Sequence, residues 1–473
     1  MRIYLEAYEQ NYHQQGKFYD NWMEAIKVLP FSSNPTSAFD KKCGLHGTTG
    51  EFYRILENDG SKPIEDFQES VINPITTYLR DKKDMEIDQV KIFSDMIKDI
   101  LCVNGSLNIT DSSFLKYLPL MANDERTSIK DRKKYSDGQK KLANYLYSMV
   151  DDDISVQSEI ECNNLFFKIL KEALHGIDIK QKDNMSKEYT ILPFIKEKFN
   201  EDLKWMMEQE ENVKVKYMHL FLHFYACYSV TQTSANISPS NRNEIKEPLG
   251  FYFILNSEKA SINHDAVVLG WSHHITKETL DRLYGRLQAL DILNSVLGGH
   301  VGFYHEIIDK LEETPFEENK DLCEELLSRF QNDKRSMFDN RTSESASIDK
   351  MDISINSYDE FIKRLYDLCT GLQSPSYIHR MRKKVIDLLS VRILQRRRGN
   401  FVLTLDNEML IFLISMITKG KKVKLEKMYK LFNEYGIYFN RGSRTAIENY
   451  LLKLNLLDRK SDSGEAQYVT VIL

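Results

Sequence analysis

Residues that break helices are scarce in this chain. It contains 20 glycines and 10 prolines in 473 residues. That scarcity favours long helices over many short strands. An apolar fraction of 42%, with 25 Tyr and 24 Phe, supplies ample core and excludes a disordered chain. The length suggests roughly two to four domains of about 100–200 residues each. The expected class is mainly α: a multi-helical body with minor β, followed by a C-terminal winged-helix domain of three helices and a β-hairpin.

The apolar spacing divides the chain further. An amphipathic helical pattern stops at Leu29-Pro30-Phe31, and Ser32 to Gly50 reads as a polar loop with three glycines around His46. A helix restarts at Glu51. Phe67, Val71, Ile72, Ile75 and Leu79 recur at helical steps. Asp131 to Lys141 is basic, and its Asp137-Gly138 reads as a turn. Ile154 to Cys227 reads as further helices. Tyr217 to Tyr228 is aromatic nearly all round and belongs in the interior. A loop is expected over 232–248, then a strand at Gly250 to Leu255. Thr276 to Leu297 forms a strong helix that stops at Gly298-Gly299. The Ser-, Asp- and Asn-rich stretch 338–357 reads as a linker. The expected division is a helical body over 1–337 (with a possible split near 150), that linker, a basic helical connector over 358–398, and the winged helix over 399–473.

The formal net charge is −6 and the pI about 6.1, so no whole-protein field attracts nucleic acid. Any contact with DNA must come from a local basic patch. Cys43, Cys102, Cys162, Cys227, Cys323 and Cys369 are scattered with no CxxC pair, which argues against a zinc ribbon or disulfide scaffold and fits a reducing compartment. The first residues meet acidic side chains too early for a signal peptide. The apolar run from Met409 to Ile417 is far short of a membrane span. A cytoplasmic location without membrane contact is expected.

The last 75 or so residues are the most readable. Phe401 to Leu405 reads as a strand, and Asp406 caps a helix through Ile417. Further helices are expected at Lys424 to Tyr435 and Ser443 to Leu454, followed by a hairpin. A winged helix lays its third helix in a major groove. Outward residues there would include Asn440, Arg441, Ser443, Arg444, Thr445, Glu448, Asn449 and Lys453. The expected DNA contacts are Arg441, Arg444 and Lys453, with Arg459 and Lys460 in the hairpin, and Arg396, Arg397 and Arg398 at the end of the preceding helix. Against this, Asp458, Asp462 and Glu465 disfavour a phosphate-binding wing. Winged helices also dock proteins, and a triple Arg can be a solvated helix end.

Catalytic signatures fail one by one. There is no GxxxxGK[ST], and Gly298-Gly299-His300-Val301-Gly302 lacks the phosphate-binding Lys. His219 and His223 stand four residues apart, but Leu220 replaces the Glu of HExxH, so they read as core histidines. His264-Asp265 has no upstream His to complete a metal dyad. Cys43 with His46 could pair a nucleophile with a base, yet no third orienting group is in view. No catalytic residue, metal site or cofactor is expected.

Several segments together resemble one family. Gly436-Ile437-Tyr438-Phe439, then Leu456 through Val469 (LLDRKSDSGEAQYV), resemble the end of the DNA phosphorothioation-dependent restriction protein DptG (DndG) family. Gly250 to Leu255 followed by Ser257, Lys259 and Ser261, with Gly270-Trp271, is similar to its middle. Leu29-Pro30-Phe31 is similar to its N-terminal part. The resemblance implies a non-enzymatic subunit of a bacterial anti-phage restriction complex. It also implies NTPase-like and HerA-like helicase proteins as partners, and double-stranded DNA near the winged helix. The alternatives left open are a pure assembly scaffold and a cryptic nuclease or hydrolase around Cys43 and His46.

Overall fold

The computed structural model describes residues 3–20, 23–39, 44–57, 69, 72–83, 85–103, 106–107, 111–120, 128–152, 154, 187–256, 258, 279–338, 353–371, 373–397, 400–459 and 467–470. Among these the protein is mainly helical, with a few short strands. The helices are α1 Leu5–Tyr12, α2 His46–Glu57, α3 Asn73–Lys83, α4 Ile87–Leu101, α5 Ile129–Tyr147, α6 Pro193–Met207, α7 Glu211–Asn236, α8 Thr279–Val296, α9 Tyr304–Glu312, α10 Phe316–Phe338, α11 Tyr358–Gly371, α12 Pro375–Ser390, α13 Asn407–Thr418, α14 Leu425–Glu434 and α15 Arg441–Lys453. The strands are β1 His13–Gln14, β2 Lys17–Phe18, β3 Cys102–Val103, β4 Ser106–Leu107, β5 Phe251–Tyr252, β6 Ile254–Leu255, β7 Leu394–Arg397, β8 Asn400–Leu405, β9 Val423–Lys424, β10 Ile437–Tyr438, β11 Leu457–Arg459 and β12 Gln467–Val469.

Two helices, α7 and α8, form the spine because most of their length is buried. In α7 every residue from Leu220 to Ser234 is buried, as the aromatic run predicts. In α8 burial runs from Thr279 to Val296 with three breaks. Helices α2, α5, α6, α12 and α13 pack on α7, while α1, α11 and α12 pack on α8. One buried apolar cluster runs from Ile3 to Val469. The segment expected to be a connector therefore lies against the body: α11 buries Phe361, Leu365 and Leu368 on α8 and α10. Most of the expected linker, 339–352, falls outside the described residues, as does 155–186.

Several expectations need correction. Of the glycines near His46, Gly47 and Gly50 lie inside a helix that begins at His46 itself, while Gly44 (φ +59°) precedes it. Likewise Asp137-Gly138 lies inside α5. These glycines permit close approach: a Cβ at Gly47 would stand 2.2 Å from the Leu120 carbonyl oxygen, and one at Gly138 2.3 Å from that of Ala38. The loop expected from Gln232 begins later, since α7 runs to Asn236. The Arg396–Arg398 triplet does not end a helix. That helix stops at Ser390, and Leu394–Arg397 is a strand paired antiparallel with Asn400–Leu405.

That pairing depends on a distant segment. The expected strand Gly250 to Leu255 is two short strands hinged at Phe253. β5 pairs parallel with β10, and β6 pairs parallel with β8. The backbone N–H of Phe251 donates to Gly436 at 2.8 Å and that of Phe253 to Tyr438 at 2.9 Å. This zipper joins the helical body to the C-terminal unit. Gly436 adopts φ +67°, and a Cβ there would meet the Leu249 carbonyl at 2.3 Å.

Candidate nucleic-acid interface

The C-terminal unit runs helix, strand, helix, helix, strand, strand, from α13 through β9, α14, α15 and β11 to β12. Its sheet has the order β11–β12–β9, all antiparallel. β10 lies between α14 and α15 but pairs with β5 instead. Each helix start has a local cause. The Asp406 Oδ1 accepts from the Met409 N–H at 2.8 Å and caps α13. The Asn440 Oδ1 accepts from the Ser443 N–H at 2.9 Å and caps α15. Lys419 (φ +51°) and Gly420 (φ +70°) close α13 in the left-handed region.

The expected contacts on α15 separate. Arg441 and Lys453 are exposed. Arg444 turns inward: its guanidinium lies 4.7 Å from the centre of the Tyr429 ring, and its Nε donates to the Phe439 carbonyl at 3.3 Å. It binds α15 to α14 rather than presenting a free charge. Ser443, expected outside, is fully buried, with its Oγ 3.1 Å from Glu258 Oε2.

The hairpin arginines also divide. Arg396 is exposed on β7. Arg397 donates from Nη2 to the Asn256 carbonyl at 2.8 Å and from Nη1 to the Glu258 carbonyl, so it fastens the hairpin to the residues after β6. Arg398, Lys460 and the side chain of Arg459 fall outside the described residues. Of the eight expected residues, the described exposed ones are Arg441 and Lys453, which share a helix, and Arg396, which stands on the β6–β8–β7 sheet.

The structure adds lysines that the motif reading passed over. Lys421, Lys422, Lys424, Lys427 and Lys430 are all exposed on β9, α14 and the turn before them. Lys424, Lys427 and Lys430 line a groove of about 420 Å³ with Glu426, Leu431 and Glu434. Lys422 pairs with Asp458 across the sheet. The sequence signal for them is the close spacing of lysines from Lys421 to Lys430. Net charge is uninformative here, because the strip is local and Glu426 and Glu434 dilute it.

The histidines set aside in the sequence come together elsewhere. The His46 and His219 rings lie 5.2 Å apart, and His223 sits beside them. Cys43 and His264-Asp265 fall outside the described residues. Among the described residues no group of three His, Cys, Asp or Glu side chains is arranged to hold a metal ion, and no helix is long and apolar enough to cross a membrane. No family model matches the chain, and no curated protein matches it.

Proposed function

We propose that the C-terminal unit is a winged helix that contacts the phosphates of duplex DNA, within a non-enzymatic subunit of a phosphorothioation-dependent restriction complex. The observation that carries this reading is the run of exposed cations on its helices and first strand: Lys421, Lys424, Lys427 and Lys430 with Arg441 and Lys453. Lysines recognise the backbone as point charges and leave sequence largely unread, which suits a subunit meeting many sites. The helix and strand order supports the winged-helix assignment. The DptG-like segments support the setting, with NTPase-like and HerA-like helicase proteins as partners and a cytoplasmic location. Arg444 and Arg397 hold the fold together in this reading and are not DNA contacts.

The test is duplex binding by two paired variants of the full chain. Arg441→Ala with Lys453→Ala, and Lys424→Ala with Lys427→Ala, should each weaken binding several-fold while leaving the melting temperature nearly unchanged. Retained affinity in both would reject the placement and favour a unit that docks protein.

A further inference from the structure

A cavity of about 420 Å³ opens where the irregular segment 23–34 meets α5, α8 and α12, within the size range of small-molecule sites. Its floor is apolar: Val28 and Phe31 from the segment, Leu287 from α8 and Met381 from α12 are all buried. Its wall is fixed before any guest arrives. The Ile26 N–H donates to Asp291 Oδ1 at 3.1 Å, and the Thr190 N–H donates to the Lys27 carbonyl at 2.8 Å. Further along, the buried ammonium of Lys384 donates to the Ser32 carbonyl at 2.8 Å and to that of Asn34. A wall held this way needs little ordering on binding.

The charges on the lining cancel. Lys27 and Lys141 stand against Glu24 and Glu188, and Lys27 is already paired with Glu188 at 2.9 Å. An ion of either sign would meet like charge as well as opposite charge, so the lining suits a neutral guest. The rest of it suits an aromatic one. The thioethers of Met23 and Met381 favour contact with a ring, and Phe31 and Tyr189 bring rings of their own. Tyr189 is held edge-on to Tyr145, with ring centres 5.3 Å apart. One polar atom is left over. Asn144 Oδ1, on α5, is buried without a hydrogen-bond partner, which costs stability until a donor is supplied. The Asn144 side chain is half-buried on the cavity wall, and a turn about its soft terminal torsion brings the amide to a guest. A carboxamide is matched by an edge that offers a donor and an acceptor side by side, as the amino edge of adenine does.

We propose that this cavity binds a neutral aromatic heterocycle of the aminopurine class, with Asn144 reading its amino edge and Phe31, Tyr189, Met23 and Met381 enclosing the ring. Two sources carry that ring: a free base or nucleoside, and an unstacked base on a single strand.

The test is calorimetric titration of the full chain with adenosine, purine riboside and adenosine monophosphate. Adenosine should bind saturably. Purine riboside, which lacks the amino group, should bind about tenfold more weakly. Asn144→Leu should weaken adenosine by about the same factor and abolish the difference between the two nucleosides, whereas Tyr189→Leu should weaken both alike. Because the lining carries no net charge, the monophosphate should bind no tighter than adenosine. A short oligodeoxyadenosine strand, titrated into the chain carrying Lys424→Ala and Lys427→Ala, separates the sources. Binding tighter than adenosine, with the advantage lost on adding Asn144→Leu, assigns the displayed base, and any other result with the strand assigns the free one. Melting temperatures show that the variants fold, and Asn144→Leu removes an unpaired buried acceptor at little cost. Absence of saturable adenosine binding overturns the proposal. So does binding unchanged in both Asn144→Leu and Tyr189→Leu, or equal affinity of the parent chain for adenosine and purine riboside. A monophosphate that binds tighter than adenosine would also overturn it. Duplex affinity should be the same in Asn144→Leu as in the parent, so failure here leaves the DNA reading standing.

Discussion

At the scale of single residues, buried charges set the sensitive points. Lys334 and Asp20 are both fully inaccessible and paired, and Gln288 Nε2 donates to Asp20 Oδ1 at 2.8 Å. Asp20→Ala leaves a buried ammonium without its counter-charge, so denaturant unfolding should show a loss of about 3–5 kcal/mol. The double change Asp20→Leu with Lys334→Met should cost less, because it removes both desolvated charges. Asp291 behaves differently. Burial pushes its carboxyl up to about 7, although it accepts from the Tyr12 hydroxyl at 2.7 Å and the Ile26 N–H at 3.1 Å. A carboxyl raised on folding contributes stability that is complete below its unfolded value, near 4, and is lost as pH rises through about 7. His219 and His223 have the opposite sense: their lowered values leave stability intact above about 6.5 and remove it as pH falls below that. The two effects oppose each other between about pH 4 and 7, so in Asp291→Asn, where only the histidine effect remains, melting temperature should rise more steeply with pH across that window than in the parent chain. An unchanged slope over that window in Asp291→Asn would show that the carboxyl does not contribute.

At the scale of elements, local chemistry explains what the sequence revealed and what it hid. Asp406 and Gly298-Gly299 mark helix ends through hydrogen bonds or backbone angles confined to a few residues, so those ends were legible, whereas the Asn440 cap was not, the third helix being expected only from Ser443. The aromatic run on α7 was legible for the same reason, since an apolar residue at nearly every position leaves no solvated face. The Arg396–Arg398 segment was not legible. Its strand state depends on β6, about 140 residues earlier in sequence, and helical spacing simply continued past Ser390. Gly47 and Gly138 resemble turn residues until the neighbouring carbonyls are in place. Arg444 is one residue from a buried Ser443 on the same helix, and the sequence does not set the rotation of α15 finely enough to tell its inward side chain from an outward one. Exposed Arg441, Lys453 and Arg396 were expected from the sequence, while the exposed lysines of β9 and α14 were not. Arg444→Ala separates the roles. It should lower stability by about 1–2 kcal/mol, through loss of the stacking on Tyr429 and the bond to Phe439, and change duplex affinity less than Arg441→Ala does.

At the scale of the whole molecule, the C-terminal unit is bound to the body by a polar and a backbone fastening. Asp202, fully buried on α6, accepts from Tyr225 at 2.5 Å and Tyr435 at 2.7 Å and pairs with Lys419. The β5–β10 and β6–β8 pairings add main-chain bonds. Phe253→Pro removes the N–H that donates to Tyr438, so limited proteolysis should release a C-terminal fragment from the variant at protease levels that leave the parent chain intact. Equal resistance in both would mean that the zipper does not secure the unit. The most direct measurement of the central claim is the affinity of the full chain for an unmodified duplex across a salt series from about 50 to 200 mM. Affinity should fall steeply and log-linearly with salt, and the slope should shrink by about one for each contacting cation removed among Lys424, Lys427 and Arg441. A flat salt dependence, or a slope the same in those variants, would contradict the assignment of this surface to DNA.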